Sequence, residues 1–378
     1  MGVSVKEKQF KNIEKNPSIL GFGCMRFPTL ENGEINEELT FEMVDYAYKH
    51  GVTYFDTAYP YHQGKSEIVI GKALKRYPRE SFYLANKMPT WYIKSKDDVV
   101  RIFNEQLEKC GVEYFDYYLC HALNKDNFQN YKLPGVMDYL YQMREEGKIK
   151  HLGFSFHDSP EVLEEIIHSY SFDFVQLQLN YLDWTYQKAK EQYEIVEKCN
   201  LPIIVMEPVR GGALADLGDE PNKILKAANP EASIASWAIK YVASKEQVMC
   251  VLSGMSNYEQ VQDNIATTTN FKPLTHVEEA HIQTALDEFL KSRIIPCTAC
   301  RYCMDCKFGV DIPKNFSLYN NFKISKYEQG YLQSYDKLDA AKASSCVGCK
   351  QCVSKCPQHI NIPEKLKEIS DFVKSKQQ

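Results

Sequence analysis

The chain predicts an α/β fold, a (β/α)8 barrel followed by a small all-α domain, and three features carry that expectation. From about residue 18 to 270, short apolar runs rich in β-branched and aromatic residues alternate with longer segments of helical period. Glycine and proline stand at the helix boundaries that this alternation implies, and beyond residue 275 the composition changes abruptly. At 378 residues the chain exceeds the ~250–300 at which a single core stops growing, so a large domain over residues 1–275 and a smaller one over 276–378 are expected.

The strands fall in order at ILGFGC (19–24), TYFDTA (53–58), FYLANK (82–87), YFDYYLCH (114–121), IKHLGFSF (149–156), FDFVQLQL (172–179), PIIVMEP (202–208) and VMCVLSG (248–254). Each precedes a plausible helix. HG at 50–51, CG at 110–111 and EEGK at 145–148 are glycine stops, and SPEVLEEI at 159–166 starts a helix with proline in its first turn. Eight right-handed βα units close into a barrel of the TIM type. An open doubly wound sheet is the alternative, but its first turn usually carries G-x-G-x-x-G, and GFGCMR lacks the third glycine. Past residue 275, VEEAHIQTALDEFLKS reads as a connecting helix and NFSLYNNFKISKYEQGYLQSYDKLDAAKA as helix and turn without strand alternation.

Composition is that of a soluble globular protein, 44% hydrophobic and 25% charged, and a formal charge of -5 argues against a nucleic-acid surface. The segment MGVSVKEKQFKNIEKN has no apolar core of the kind a signal peptide needs, and no run approaches the ~18 apolar residues of a membrane span. A cytoplasmic protein without membrane contact is expected. Of thirteen cysteines, eight crowd into two runs after residue 296, which in a reducing compartment read as metal sites rather than disulfides. Cys24, Cys110, Cys120, Cys199 and Cys250 are scattered through apolar segments and are expected mostly as buried small hydrophobes.

CVGCKQCVSKCP, with Cys346, Cys349, Cys352 and Cys356 followed by Pro357, has the C-x2-C-x2-C-x3-C-P spacing that wraps three thiolates around one face of a 4Fe-4S cubane. Zinc ligands normally come in pairs separated by a longer loop, which makes zinc the lesser reading. CTACRYCMDC, with Cys297, Cys300, Cys303 and Cys306, shares the first intervals but has a shorter last one and no proline after it. Two-cluster ferredoxins lend the fourth cysteine of each run to the other cluster. On that pattern Cys306 joins Cys346, Cys349 and Cys352, and Cys356 joins Cys297, Cys300 and Cys303. Two clusters are expected and at least one; a single cluster beside a degenerate or zinc-filled first run is the alternative. Ile-Pro recurs at the same distance after Cys306 and Cys356, which predicts two equivalent loops leading into two equivalent helices. Over about eighty residues this iron-sulfur domain resembles the α-helical ferredoxin-like domains attached to several redox enzymes.

In a βα barrel chemistry sits at the C-terminal ends of the strands. Asp56 and Tyr61 follow the second strand, Lys87 ends the third and His121 the fourth. Singly, Asp56 reads as a helix cap, Tyr61 as a loop aromatic, Lys87 as a surface charge and His121 as a core histidine. As an ordered set they resemble the aldo-keto reductase superfamily. GVTYFDTAYPYHQGKSE resembles its signature around Asp and Tyr, ANKMP its lysine strand and DYYLCH its histidine strand, within a likeness over most of residues 18–270.

That resemblance implies an NAD(P)(H)-dependent oxidoreductase interconverting an aldehyde or ketone and an alcohol. It makes Tyr61 the proton donor to the developing alkoxide. A free phenol has a pKa of about 10. Lys87 would supply a cation favouring its ionised form, Asp56 would hold the lysine, and His121 would orient the carbonyl oxygen.

For NADP or NAD the resemblance points to Ser155 and Gln176 as amide contacts, with Phe156 in place of the usual asparagine and Met206 in place of a stacking tyrosine. MEPVRGGAL (206–214) and SGMSNYEQVQDN (253–264) resemble the loops that meet the dinucleotide phosphates, naming Pro208, Arg210, Gly211, Ser253, Gly254, Gln260 and Asn264. Gly254 and Gln260 stand where many members carry a lysine and an arginine for the 2'-phosphate, so the nucleotide stays open. Arg210 reads equally as a compensating phosphate contact or a solvated loop charge.

Hydride and proton transfer alone need no cluster. A second reading is therefore electron transfer between nicotinamide and a ferredoxin-like partner, although no flavin fingerprint is visible. A third makes the clusters a structural staple or redox sensor in a domain too small to bury much surface. Trp91, Tyr92, Tyr181 and Trp184 lie in βα loops and read either as lining of a small-molecule pocket or as packing.

Overall fold

The computed structural model describes the chain except residues 1–9, 11–12, 14–15, 187, 294, 296, 298–302, 305, 326, 357–359 and 377–378. It forms two compact units, residues 1–209 with 229–280 and residues 210–228 with 281–378.

In the first unit the strands are β1 Leu20–Gly23, β2 Tyr54–Asp56, β3 Tyr83–Met88, β4 Phe115–Leu123, β5 Ile149–Phe156, β6 Phe174–Gln178, β7 Ile203–Met206 and β8 Val248–Ser253. They are parallel, pair in chain order and close with β8 against β1, as the alternation predicts. Strands buried on both faces read as nearly continuous apolar runs, which is why each was visible in the sequence.

The helices of this unit are α1 Glu37–Lys49, α2 Ser66–Leu74, α3 Lys96–Cys110, α4 Val136–Glu145, α5 Pro160–Ser169, α6 Asp183–Tyr186 and α7 Ala189–Lys198. After α8 Asp219–Ala228, which belongs to the second unit, come α9 Ile234–Ala243 and α10 Tyr258–Thr268; α11 His276–Arg293 crosses the boundary between the units. The expected punctuation is in place. Ser95 and Asp98 close a capping box on α3, Gly111 ends that helix at φ 63°, and α5 opens on Pro160. Gly71 permits α2 to pack on α3, since a Cβ there would stand 2.4 Å from the Cys110 carbonyl oxygen.

The second unit is helical, with α12 Ile312–Ser325, α13 Glu328–Asp336 and α14 Ile362–Ser375 beside α8. The expected repeat is present: α12 opens on Ile312 and α14 on Ile362, each an Ile-Pro pair, and both isoleucines are buried in one core with Phe316, Tyr319, Leu366 and Ile369. Rings of Tyr319, Phe322, Tyr331 and Phe372 add to it, Phe322 stacking on Tyr331 at 5.0 Å. Among the described residues no helix is long and apolar enough to cross a membrane.

Candidate active site

The stagger of the barrel sets the site. Asp56 is registered with Ala85, Lys87 with Leu119, and Ser155 with Gln176. Since every second residue of a strand shares a face, Asp56, Lys87 and His121 climb neighbouring strands toward one end of the barrel. Lys87 is 1% exposed and its Nζ donates to Asp56 Oδ1, to the Thr57 carbonyl oxygen at 2.8 Å and to the Tyr61 hydroxyl oxygen at 3.4 Å. An ammonium has three donors, and each has an acceptor here. Gln176 Nε2 holds the other Asp56 oxygen at 3.2 Å. Tyr61 therefore accepts from Lys87, and no acceptor for its own proton is present among the described residues.

Burial dominates the electrostatics. It raises Asp56, an effect the Lys87 ammonium opposes, and it acts to lower Lys87, where Asp56 and Tyr61 outweigh it and leave the ammonium more basic than usual. Tyr61 is raised by burial despite the opposing charge of Lys87, so in this pocket the cation limits the upward shift rather than reversing it. His121 is held well below the usual histidine range by burial first, then by the charges of Lys87 and His157.

A cavity of about 380 Å³ opens over these groups, lined by Asp56, Tyr61, His121, Ser155 and Gln176 together with Arg26, His157, Gln178, Met206 and Glu207. His121 meets the Tyr61 ring edge-on at 6.1 Å, and its Nδ1 is buried with no hydrogen-bond partner among the described residues. The cavity therefore brings a phenol that can donate a proton and an imidazole held neutral to one opening. Trp91, half exposed, lies 5.2 Å from His121. Tyr181 and Trp184 instead pack on Tyr241, and Trp184 also on Tyr193, so they belong to helix packing.

The residues expected to hold a nucleotide divide. Ser155 and Gln176 line the cavity, with Ser155 Oγ accepting from the Ala122 N–H at 2.7 Å. Gly254 also lines it, and a Cβ there would meet the Arg26 side chain at 2.9 Å. Ser253 and Asn264 are buried and bonded to each other at 2.9 Å, while Pro208 is buried after β7. Gln260 is exposed at the start of α10, its side-chain oxygen accepting from the Ser256 N–H at 2.8 Å. Arg210 and Gly211 form a tight turn of the second unit, both with positive φ.

The residues that reading the sequence missed are Arg26, His157, Gln178 and Glu207. Arg26 pairs with Glu207 at 2.9 Å, joining the chain after β1 to that after β7. Gln178 lies two residues beyond Gln176 on the same strand face and His157 directly after β5, so strand-end position alone could have marked both.

Behind Lys87 lies a buried polar network. Asn86 Nδ2 and Gln106 Nε2 donate to Glu67 Oε1 at 2.9 and 3.1 Å, and Gln106 Nε2 also reaches the Lys87 carbonyl oxygen at 3.0 Å. Tyr118 donates to Gln106 Oε1, and Asn86 Oδ1 accepts the Lys87 N–H at 2.8 Å. The strand segment that carries the lysine is thus bonded on its backbone as well as at its tip.

In the second unit Cys297, Cys303, Cys306, Cys346, Cys352 and Cys356 all pack against the one apolar core, and Cys349 is exposed. Cys300 and Pro357 lie outside the described residues. Cys352 is raised by burial, with further upward contributions from Cys346, Cys349 and Cys306. Among the described residues no three Cys, His, Asp or Glu side chains converge as on a single metal ion. A soft thiolate set shared by two loops on an apolar core fits an iron-sulfur group.

Comparison with known proteins bears on both units. Residues 19–287 match the model of the aldo/keto reductase family, and residues 296–361 that of the 4Fe-4S dicluster domain. The probable aldo-keto reductase 1 of Glycine max is 29% identical over 209 residues, and the match spans 53% of this chain and 58% of that relative's length. The NADH-specific methylglyoxal reductase of Escherichia coli (strain K12) is 23% identical over 281 residues, covering 62% of this chain and 84% of the relative. Among solved structures, a holo aldo-keto reductase from Bacillus halodurans superposes with a TM-score of 0.63 at 24% identity, covering 74% of this chain and 96% of that one. An aldo-keto reductase from Klebsiella pneumoniae in complex with NADPH gives 0.62 at 18% identity, covering 74% and 95%. At such identities these structures establish the barrel and nothing finer.

Proposed function

The chain belongs to the aldo/keto reductase family, and we propose that it is an NAD(P)(H)-dependent oxidoreductase that interconverts an aldehyde or ketone and an alcohol, with iron-sulfur clusters in its C-terminal domain. The observation that carries the proposal is that Asp56, Tyr61 and His121 line one cavity at the strand ends while buried Lys87 is hydrogen-bonded to both Asp56 and Tyr61.

Nicotinamide, when bound, supplies or accepts the hydride. Ser155 and Gln176 would hold its carboxamide, and Met206 would lie against its ring. Tyr61 gives its proton to the carbonyl oxygen as charge develops there. The lysine hydrogen bond on the phenol oxygen stabilises the phenolate left behind. Asp56 keeps the ammonium aimed, and neutral His121 steadies the same carbonyl oxygen. NADH and NADPH are both candidates, and the ratio of their kcat/KM values decides between them. A reducing cytoplasm suits the thiolate ligands of the second domain.

The test is Tyr61→Phe. Loss of a positioned acid lowers kcat on a panel of carbonyl compounds by roughly 10²–10⁴, while fluorescence titration finds nucleotide affinity unchanged. Turnover within a factor of two of wild type would refute the assignment.

A second reading, transfer of electrons to a ferredoxin-like partner, is favoured by the exposure of residues 347–351 around Cys349. Bleaching of the visible cluster absorption by NADH or NADPH would support it, and no bleaching during turnover would remove it.

A further inference from the structure

Each cysteine run must leave the helical core at a fixed point if its thiols are to meet a cluster. The first run is preceded by Ile295 and the second by Ala343, both buried in the core that the cysteines pack against. Both points are gripped by side-chain amides of one helix. Asn320 Oδ1 accepts the Ile295 N–H at 2.9 Å and its Nδ2 donates to the Ile295 carbonyl oxygen at 2.8 Å. Asn315 Oδ1 accepts the Ala343 N–H at 2.8 Å, and its Nδ2 donates to the carbonyl oxygens of Ala341 at 2.8 Å and Asp311 at 2.7 Å. Asn315 is 0% and Asn320 1% exposed, so every one of these polar atoms depends on its protein partner.

A side-chain amide carries a donor and an acceptor in one plane, which suits it to bond a backbone N–H and C=O together. The internal repeat does not account for the pair. Matching Ile312 to Ile362 carries Asn315 onto Lys365 and Asn320 onto Ser370, neither of which carries an amide. Both anchors are therefore on α12 alone, the helix that begins just beyond Cys306.

We propose that Asn315 and Asn320 are positioning residues for the iron-sulfur domain, a pair of amides by which α12 holds both cysteine runs ready for their clusters. The proposal rests on the iron-sulfur reading of that domain. It makes the two runs interdependent through one helix.

The test compares anaerobically purified, full-length wild type with Asn315→Ala, Asn320→Ala and Ile369→Ala, the last a cavity in the same core at an aliphatic residue that makes no side-chain hydrogen bond. Iron and acid-labile sulfide per chain, the electron paramagnetic resonance spectrum of the reduced protein and the rate of iron release to a chelator are measured, with thermal unfolding recorded for all four. Asn320→Ala loses two of these hydrogen bonds and Asn315→Ala three, and each variant is expected to release iron at least about tenfold faster than wild type, the ratio that a single hydrogen bond to a buried group carries. Ile369→Ala, matched or greater in lost stability, is expected to release it at close to the wild-type rate. Wild-type release rates and spectra in both asparagine variants overturn the proposal, as does equally fast release from Ile369→Ala. A wild type without iron and sulfide overturns the iron-sulfur reading itself, and the assignment falls with it.

Discussion

Lys87 Nζ stands 3.4 Å from the Tyr61 hydroxyl oxygen while its other two protons go to Asp56 and to the Thr57 carbonyl. The phenol oxygen thereby accepts from the ammonium, and among the described residues no acceptor takes the phenol's own proton. Burial keeps that proton in place at neutral pH, and the ammonium limits how firmly it is held. An acid that stays protonated until an alkoxide forms beside it needs both influences.

Lys87→Met strands a carboxylate at Asp56, which is 3% exposed, and should destabilise the fold by about 3–5 kcal/mol. Urea unfolding measures this. A Lys87→Met, Asp56→Leu double variant should recover part of the stability and none of the activity, because a buried ion pair is replaceable for folding but not for chemistry. Full activity in the double variant would contradict the role given to Lys87.

His121 provides a pH signature. Burial and the charges of Lys87 and His157 depress it, so the folded state favours the neutral ring. A depressed histidine contributes stability that is complete above the unfolded-state pKa of about 6.5 and is lost as pH falls toward the folded value. Wild type should therefore lose melting temperature below about pH 6.5 more steeply than His121→Gln. His62 and His157 are also lowered by burial and remain in both proteins, so the difference between the two curves reports His121. Parallel curves would mean that its ring is not held neutral.

Gln106→Leu removes the amide that reaches Glu67, Asn86 and the Lys87 carbonyl together. Leaving those buried groups short of a partner should cost about 2–3 kcal/mol. It should also lower kcat through a displaced lysine while KM for the nucleotide stays level, and steady-state kinetics with chemical denaturation measure both. A loss of stability with kcat intact would reduce the network to scaffolding.

The barrel was legible because its parallel strands are buried on both faces and its helix ends carry glycine or proline. Asp56, Tyr61, Lys87 and His121 were legible because their types fall at successive strand ends. What stayed hidden depends on partners distant in sequence. The Arg26–Glu207 pair joins residues 181 apart in sequence, and nothing local marks either residue. Asn86 and Gln106 read as an unremarkable strand polar and a helix polar until Glu67 is placed between them. Trp184 and Tyr181 read in sequence as either pocket lining or packing, and only the fold shows that Tyr241 of α9 supplies the surface they cover. In the cysteine domain the repeated Ile-Pro announced two matching helix starts, but the anchoring amides break that symmetry and only the fold exposes them.

On the proposed function, hydride passes directly from nicotinamide to a carbonyl carbon in the Tyr61 cavity, without passage through the clusters. It is tested most directly with nicotinamide deuterated at its hydride-bearing carbon, incubated with wild-type protein and a carbonyl substrate in ordinary water. Deuterium on the carbinol carbon of the product is the predicted result; hydrogen from solvent at that carbon would contradict it.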